Sequence, residues 1–349
     1  MSTPSSVGSD FSFDSAAAVA EEEGAAGRIE GMGPWRLAAR RLRRNRVALV
    51  ALAVFVLVVL VSVFAPLYAN LVAGRGPNQT AVTERIRVDG QTVDVVSPEG
   101  TPIGPTLGRQ YFMGADPLGR DVMVRLLYGG RNSLLVGIAS AILTTVLAVA
   151  LGLVAGYFRG WPDRLISGLF DILWSFPALL FAIALGTALA IGGLNVFGLF
   201  TVGGGSIWIP IFIIGVVYVP YLGRPVRGQV LSLREKEFVE AAVAQGMGPG
   251  RIMFGEILPN ITSTLLVFGT LIVANNIVLE TALSFLGAGI QPPAPSWGNL
   301  IGEGADRIVT APHLALVPGA AIVITVLSLN LFGDGLRDAL DPRAKVRLL

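Results

Sequence analysis

Long apolar stretches alternate with short polar ones along this chain. Residues 132–158, 172–223, 257–279 and 308–333 contain no Asp, Glu, Lys or Arg, and a further apolar run covers Val47–Ala65. A membrane-spanning helix needs roughly 20 mostly apolar residues. The 52-residue window from Ile172 to Gly223 is long enough for two such helices, joined by the glycine-rich stretch Gly192–Ser206. The pattern predicts six spans, at about 47–65, 134–157, 165–190, 207–222, 261–287 and 314–332. Residues 281–302 also lack charge, but Pro292, Pro293 and Pro295 interrupt them, and they are not read as a span. Within the long segment after the first span, Arg85–Val96 alternates polar and apolar residues as a short hairpin would.

Composition supports a membrane protein. Of 349 residues 53% are apolar and 14% charged, against about a quarter charged in a soluble domain. A large soluble core and an independent catalytic domain are excluded on this balance. Charge then orients the spans. Arg36, Arg40, Arg41, Arg43, Arg44 and Arg46 precede the first apolar run, and basic residues near span ends stay cytoplasmic. A cleaved signal peptide would compete, but 46 residues precede the run and Pro66 follows Ala65 where cleavage would be needed. With alternating spans, 18 of the 26 basic residues fall inside and eight outside. Both termini are therefore expected in the cytoplasm of a multi-pass protein of the cell membrane. The expected organisation is a disordered cytoplasmic tail over 1–34, a basic segment and first span over 35–66, and an extracytoplasmic loop over 67–130. A core with spans 2–6 follows over 131–335, including a cytoplasmic loop at 223–260, and then a tail over 336–349.

The search for chemistry excludes more than it finds. Without cysteine there are no disulfides, iron–sulfur clusters or thiol nucleophiles. A single histidine, His313, excludes the usual multi-histidine zinc sites. There is no phosphate-binding loop: Gly246, Gly248 and Gly250 lack the Lys-Ser/Thr that such a loop requires. A net charge of +2 gives no case for nucleic acid. No catalytic residue, metal ligand or cofactor is expected on this chain. Two carboxylates do fall inside predicted spans, Asp171 and Glu280, where ionisable groups face a protein interior or a water path. Asp171 lies about two turns from a span end, within reach of pairing with Arg164. Glu280 lies near Asn275 and Asn276, as either an interhelical hydrogen-bonding group or a pathway contact.

The segment between spans 4 and 5 carries the clearest pattern. Ser232-Leu233-Arg234-Glu235 fits a capping box, which predicts a helix starting at Ser232, running through Glu240-Ala241-Ala242 and stopping at Gly246. Pro249 is placed to open a second helix, ending near Ile257-Leu258-Pro259. The expected product is a helix–turn–helix whose small residues Ala241, Ala242 and Ala244 suit a helix laid into a groove on another protein.

Glu240-Ala241-Ala242, with Gly246 four residues after Ala242 and Pro259 thirteen further on, resembles the EAA loop of permease subunits from binding-protein-dependent ABC importers. Where that pattern has an aliphatic residue three before the proline, this chain has Glu256. Gly114-Ala115-Asp116-Pro117-Leu118-Gly119-Arg120-Asp121, Phe176-Pro177, Ser284-Phe285-Leu286-Gly287 and Pro295-Ser296-Trp297-Gly298-Asn299 are similar to the peptide/nickel (oligopeptide/dipeptide) group of these permeases. So is Gly333-Asp334-Gly335-Leu336-Arg337-Asp338-Ala339-Leu340-Asp341-Pro342. The resemblance covers about Arg36–Arg343 and is poor over 67–110 and 192–206. It implies an all-α bundle of six spans with the type I ABC importer permease fold, carrying no catalytic site. It further implies ATP and Mg on two ABC ATPase partner subunits or domains, a second homologous permease subunit, an extracytoplasmic substrate-binding protein and surrounding lipid. Glu240, Ala241, Ala242, Gly246 and Pro259 would couple to the ATPase. Asp171, Asn275, Asn276 and Glu280 are pathway or interhelix candidates, and Arg120, Asp121 and Trp297 are candidates for contact with the binding protein. Peptides are the expected solute. Nickel or another small solute by the same mechanism, or an ion-coupled secondary transporter, are the alternatives.

Overall fold

The structure, a computed structural model, describes residues 34–88, 90–196 and 200–341. The tail expected over 1–34 lies outside these residues except for Pro34, as do residues 342–349 of the C-terminal tail. Among the described residues helices dominate, and four are long and apolar enough to cross a membrane, or up to six spans if each of two bent pairs counts as one.

The basic segment is itself a helix, α1 (Pro34–Arg44), followed by α2 (Arg46–Val63). Asn45 separates them, its side chain accepting from Ala48 N at 3.1 Å as an N-cap does. A short α3 (Ala65–Tyr68) and a wide turn over Ala69–Ala73 lead into the hairpin β1 (Arg85–Val88) and β2 (Gln91–Asp94). The hairpin is antiparallel with Arg85 opposite Asp94, as the alternating pattern predicts. Ile86 of β1 and Val95 and Val96, directly after β2, form a small core with Tyr111 and Ala115.

Helix α4 (Val122–Phe158) is the axis of the bundle. Its 37 residues reach about 55 Å at 1.5 Å per residue, so the segment expected as loop up to residue 130 is helical from Val122. The expected third span is broken: α5 (Gly160–Ser175) and α6 (Ala178–Gly192) meet at 89°. Pro177 supplies the cause, because the residue before a proline is pushed out of the helical region, and Phe176 is extended at φ −101°, ψ 143°. The fourth span is also bent. α7 (Trp208–Val217) and α8 (Val219–Arg234) meet at 41° beside Pro220. Between the two pairs, the glycine-rich stretch contains a small hairpin that the sequence did not suggest, β3 (Leu194–Val196) with β4 (Phe200–Val202).

After α9 (Glu237–Ala244) the chain forms α10 (Pro249–Arg251), a wide-turn segment Ile252–Ile257 and α11 (Leu258–Phe285), which together make one continuous rod. The stop expected at Ile257–Pro259 does not occur. Pro259 has no N–H to give and its ring crowds the preceding turn. The widened turn directly before it absorbs both effects, and Asn260 Nδ2 donates to the Glu256 carbonyl at 2.6 Å. Helices α12 (Trp297–Ala305) and α13 (His313–Leu340) complete the chain.

One core cluster joins α4, α5, α8, α9 and α11 at the end of the bundle that carries α9. It includes Leu153, Phe170, Leu222, Val226, Val230, Val239, Ala242, Ile252 and Ile257. Gly152 and Gly156 make the α4–α8 contact close: an added Cβ would meet Val226 at 2.7 Å and Val230 at 2.6 Å. Small residues spaced by four let helix backbones approach in this way inside a bilayer. A second cluster, with Val136, Ile213, Leu279 and Leu283, fills the half nearer the hairpin.

Candidate functional site

The most distinctive surface is the segment between α8 and α11. The capping box expected at Ser232 is absent, because α8 simply continues through Ser232 to Arg234. Glu235 turns away to pair with Arg159, and α9 starts instead after Lys236, which is extended and makes no side-chain cap. The packing of α8 on α4 is what overrides the local cap signal.

Helix α9 has two faces. Val239 and Ala242, three residues apart, are buried at 1% and 4% exposure against the core that includes Ile252, Met253 and Ile257. Phe238, Glu240, Ala241, Val243, Ala244 and Gln245 are exposed. The expectation that Ala242 belongs to the outward face is therefore corrected: Ala241 and Ala244 offer the small surface, and Ala242 seats the helix. Exposed Phe254, from the wide-turn segment, adds apolar surface at this end. Gly246 ends the helix as the sequence predicts. At φ +76° its N–H donates to Val243 O at 2.9 Å and the next N–H, of Met247, donates to Ala242 O at 3.1 Å, a paired C-cap that satisfies the last carbonyls. Pro259 is exposed at the root of this hairpin, where the rod enters the bundle.

The intramembrane candidates separate. Asp171 pairs with Arg224 of α8 at 2.7 Å, not with Arg164, and both side chains are open to the surroundings. Asn276 is fully buried and bonds Ser140 on α4 at 2.9 Å, whereas Asn275 is half-buried. Glu280 is fully buried. Its Oε1 accepts from Ser284 at 2.7 Å, and Ser284 Oγ in turn accepts from Ile290 N at 3.0 Å. Glu280 thus fastens the loop after α11 from inside.

Arg120, Asp121 and Trp297, the three candidates for partner contact, are buried at 8%, 0% and 2% exposure, so this chain itself covers them. Asp121 caps α4, accepting from Met123 N at 2.9 Å and Val124 N at 3.1 Å. It also accepts from Tyr111 N at 2.8 Å. Burial nevertheless pushes its carboxyl above the ordinary aspartate range. Arg120 pairs with Asp116 at 2.5 Å and Glu303 at 2.7 Å, and the almost fully buried Arg125 pairs with Glu303 at 3.0 Å. Trp297 Nε1 donates to Leu126 O at 3.1 Å. Neither Glu303 nor Arg125 is among the site candidates that the sequence offers. Nothing local marks residues that meet across 178 positions. In the hairpin region, hydrogen bonding to Arg75 holds the Glu84 carboxyl below its ordinary range, with Tyr111 OH donating to Glu84 at 3.1 Å.

Comparison with known proteins agrees with this arrangement. A family model described as "Binding-protein-dependent transport system inner membrane component" matches residues 148–346. Another, "N-terminal TM domain of oligopeptide transport permease C", matches residues 33–81. The dipeptide transport system permease protein DppC of Alkalihalophilus pseudofirmus is 38% identical over 90% of this chain and 91% of that protein. The glutathione transport system permease protein GsiD of Pectobacterium atrosepticum is 40% identical over 67% of this chain and 73% of that protein. Among solved structures, the MetNI methionine ABC transporter in inward-facing form matches at a TM-score of 0.52 and 19% identity, over 63% of this chain and 97% of that chain. That likeness is one of fold. A multi-pass helical bundle with a short amphipathic helix keyed into its core, matched by family model over most of its length and by these relatives, belongs to the binding-protein-dependent transport system inner membrane components, the permease subunits of ABC importers.

Proposed function

We propose that this chain forms half of a transmembrane path for peptides, with α9 as the docking element for an ATPase subunit. The observation that carries the proposal is the division of α9 into an inner and an outer face. Val239 and Ala242 lock it to the core shared by α4, α5, α8 and α11, while Phe238, Ala241 and Ala244 are left exposed. A push on the outer face therefore passes to four bundle helices at once, as alternating access by relative motion of helices requires. ATP and Mg are held by the ATPase chains in this scheme, and a second homologous permease completes the path. An extracytoplasmic binding protein delivers the solute to the end that carries the hairpin. The names of the relatives support peptides as the cargo; nickel or another small solute is the competing outcome.

The test is ATP-driven uptake of labelled di- to pentaalanine by the assembled transporter in proteoliposomes, beside its ATPase rate. Ala241→Trp adds bulk to the outward face without entering the core, and at least a tenfold loss of both binding-protein-stimulated ATPase and uptake is expected. Unchanged uptake with Trp at position 241 would show that this face does not dock. Uptake of nickel ions and of no peptide would reassign the cargo.

A further inference from the structure

The charged pair Asp171–Arg224 has no place in the docking scheme, and its surroundings are unusual. Arg224 precedes Val226, which packs on Gly152 of α4. α4 runs parallel to α8 and remains apolar to Phe158. The fourth span is therefore not over at residue 222, where the sequence places its end and the start of the cytoplasmic loop. Arg224 lies level with Ala150 of α4, eight residues before Phe158, so at 1.5 Å per residue it sits about 12 Å inside the apolar part of α4. At that depth the two side chains are still 73% and 41% exposed. Ionisable groups inside a membrane do not face hydrocarbon; they face protein or a water-filled cavity. A protein partner closing over the pair would have to desolvate both charges, a cost that the attraction between them often fails to recover. In water the same pair is nearly neutral in energy. The water-filled path is the environment that fits.

Backbone geometry points the same way. Both bent spans have their elbows here: α5 ends in Trp174 and Ser175 before the 89° turn, and the 41° turn at Tyr218 lies three residues before Tyr221. Irregular backbone at membrane depth is tolerated where it is buried in protein or lines water, and Phe176 is 56% exposed. Aromatic rings adjoin the Arg224 side of the pair. The Arg224 guanidinium lies 4.9 Å over the Trp174 ring, and Tyr221 contacts Trp174, Tyr218 and Phe268 with ring centres 6.4, 6.1 and 6.0 Å apart.

From this juxtaposition we infer that Asp171 and Arg224 form a contact site in the path for zwitterionic solutes, Arg224 taking a free carboxylate and Asp171 a free ammonium group. The inference rests on the peptide-import function proposed above. Each group keeps capacity for a second partner: among the described residues Asp171 bonds through Oδ1 and Arg224 through Nη2, leaving Asp171 Oδ2 and Arg224 Nη1 for the solute. Trp174 and Tyr221 then supply flat apolar surface for side chains of any identity, which suits a path that must hold its cargo only briefly.

The experiment measures trialanine transported per ATP hydrolysed, in proteoliposomes with the complete transporter and its loaded binding protein. Arg224→Gln and Asp171→Asn are expected to keep assembly and binding-protein-stimulated ATPase while lowering trialanine per ATP at least tenfold. Arg224→Lys and Asp171→Glu, which keep the charges, should recover most of it. An unchanged ratio in the neutral variants overturns the inference. So does restoration of wild-type uptake by the charge swap Asp171→Arg with Arg224→Asp, since that would reveal a purely structural pair. So does a loss of assembly or ATPase in parallel with uptake. Failure of the unmodified transporter to import any alanine peptide would instead overturn the peptide-import function itself.

Discussion

Gly246 shows how a single residue can set the aim of a short surface helix, α9. Its φ of +76° lies in the region that side chains disfavour, yet an added Cβ would have no heavy atom within 4 Å. Substitution there is purely conformational. Gly246→Ala should cost about 1–2 kcal/mol of local stability, and Gly246→Asn less, since Asn tolerates this region. Gly246→Asp adds a carboxylate to the negative end of α9, which is also unfavourable. The expected order of ATP-driven uptake, at equal subunit abundance, is Gly, then Asn, then Ala, then Asp, with Asp close to inactive. Equal uptake by all four would show that the direction in which α9 leaves its cap does not matter. This requirement was legible in the sequence because it is local: a glycine at the end of an apolar-faced segment has one common use. Ala242 was legible only in part. Its type and spacing marked it as important, but which side of α9 it occupies depends on Val239 and the core beneath, and that is tertiary information.

At the scale of elements, the apolar windows located the four helices long enough to cross a membrane and the two bent pairs that bring the count of candidate spans to as many as six, while their continuity was hidden. Pro177 and Pro259 are both prolines in apolar surroundings, yet one breaks a span by 89° and the other sits within a continuous rod. The difference lies in the turn before each, which neither proline's neighbours specify. Ser232 misled for a related reason: a good cap sequence is overruled when the helix carrying it is already held by α4. The buried trio Arg120, Asp121 and Trp297 likewise has the residue types of a contact surface, and only its long-range partners Glu303, Tyr111 and Leu126 reveal it as internal structure. The α4–α8 contact offers a direct check of element packing. Gly156→Val places methyl groups where a Cβ alone already falls 2.6 Å from Val230, and overpacking of this kind costs typically 1–3 kcal/mol. The expected outcome is a lower thermal midpoint of the purified subunit in detergent, with Gly168→Val, where nothing lies within 4 Å, as the neutral control. Equal midpoints would mean that α8 is free to shift away from α4.

The whole molecule carries its orientation in how its charges are paired as well as in how they are distributed. At the hairpin end Arg75 pairs with Glu84, Arg85 with Asp94, and Arg120 and Arg125 share Asp116 and Glu303, so much of the positive charge there is cancelled on the spot. At the other end, α1 contributes Arg36, Arg40, Arg41, Arg43 and Arg44 within 11 residues that contain no acid. This helix lies beside the end of α13, with Arg41 Nη1 donating to the Asp341 carbonyl at 2.9 Å. Basic residues near span ends favour the cytoplasmic side, so the end with α1 and α9 is expected inside and the hairpin outside. The absence of cysteine makes the measurement clean. Thr92→Cys on the exposed strand β2 and Ala244→Cys on the exposed face of α9 each introduce one thiol into an otherwise thiol-free chain. A membrane-impermeant maleimide applied to intact cells should label Cys at 92, and should label Cys at 244 only after the membrane is opened. The reverse pattern would invert the molecule and put α9 on the side without ATP, removing the basis for coupling through it.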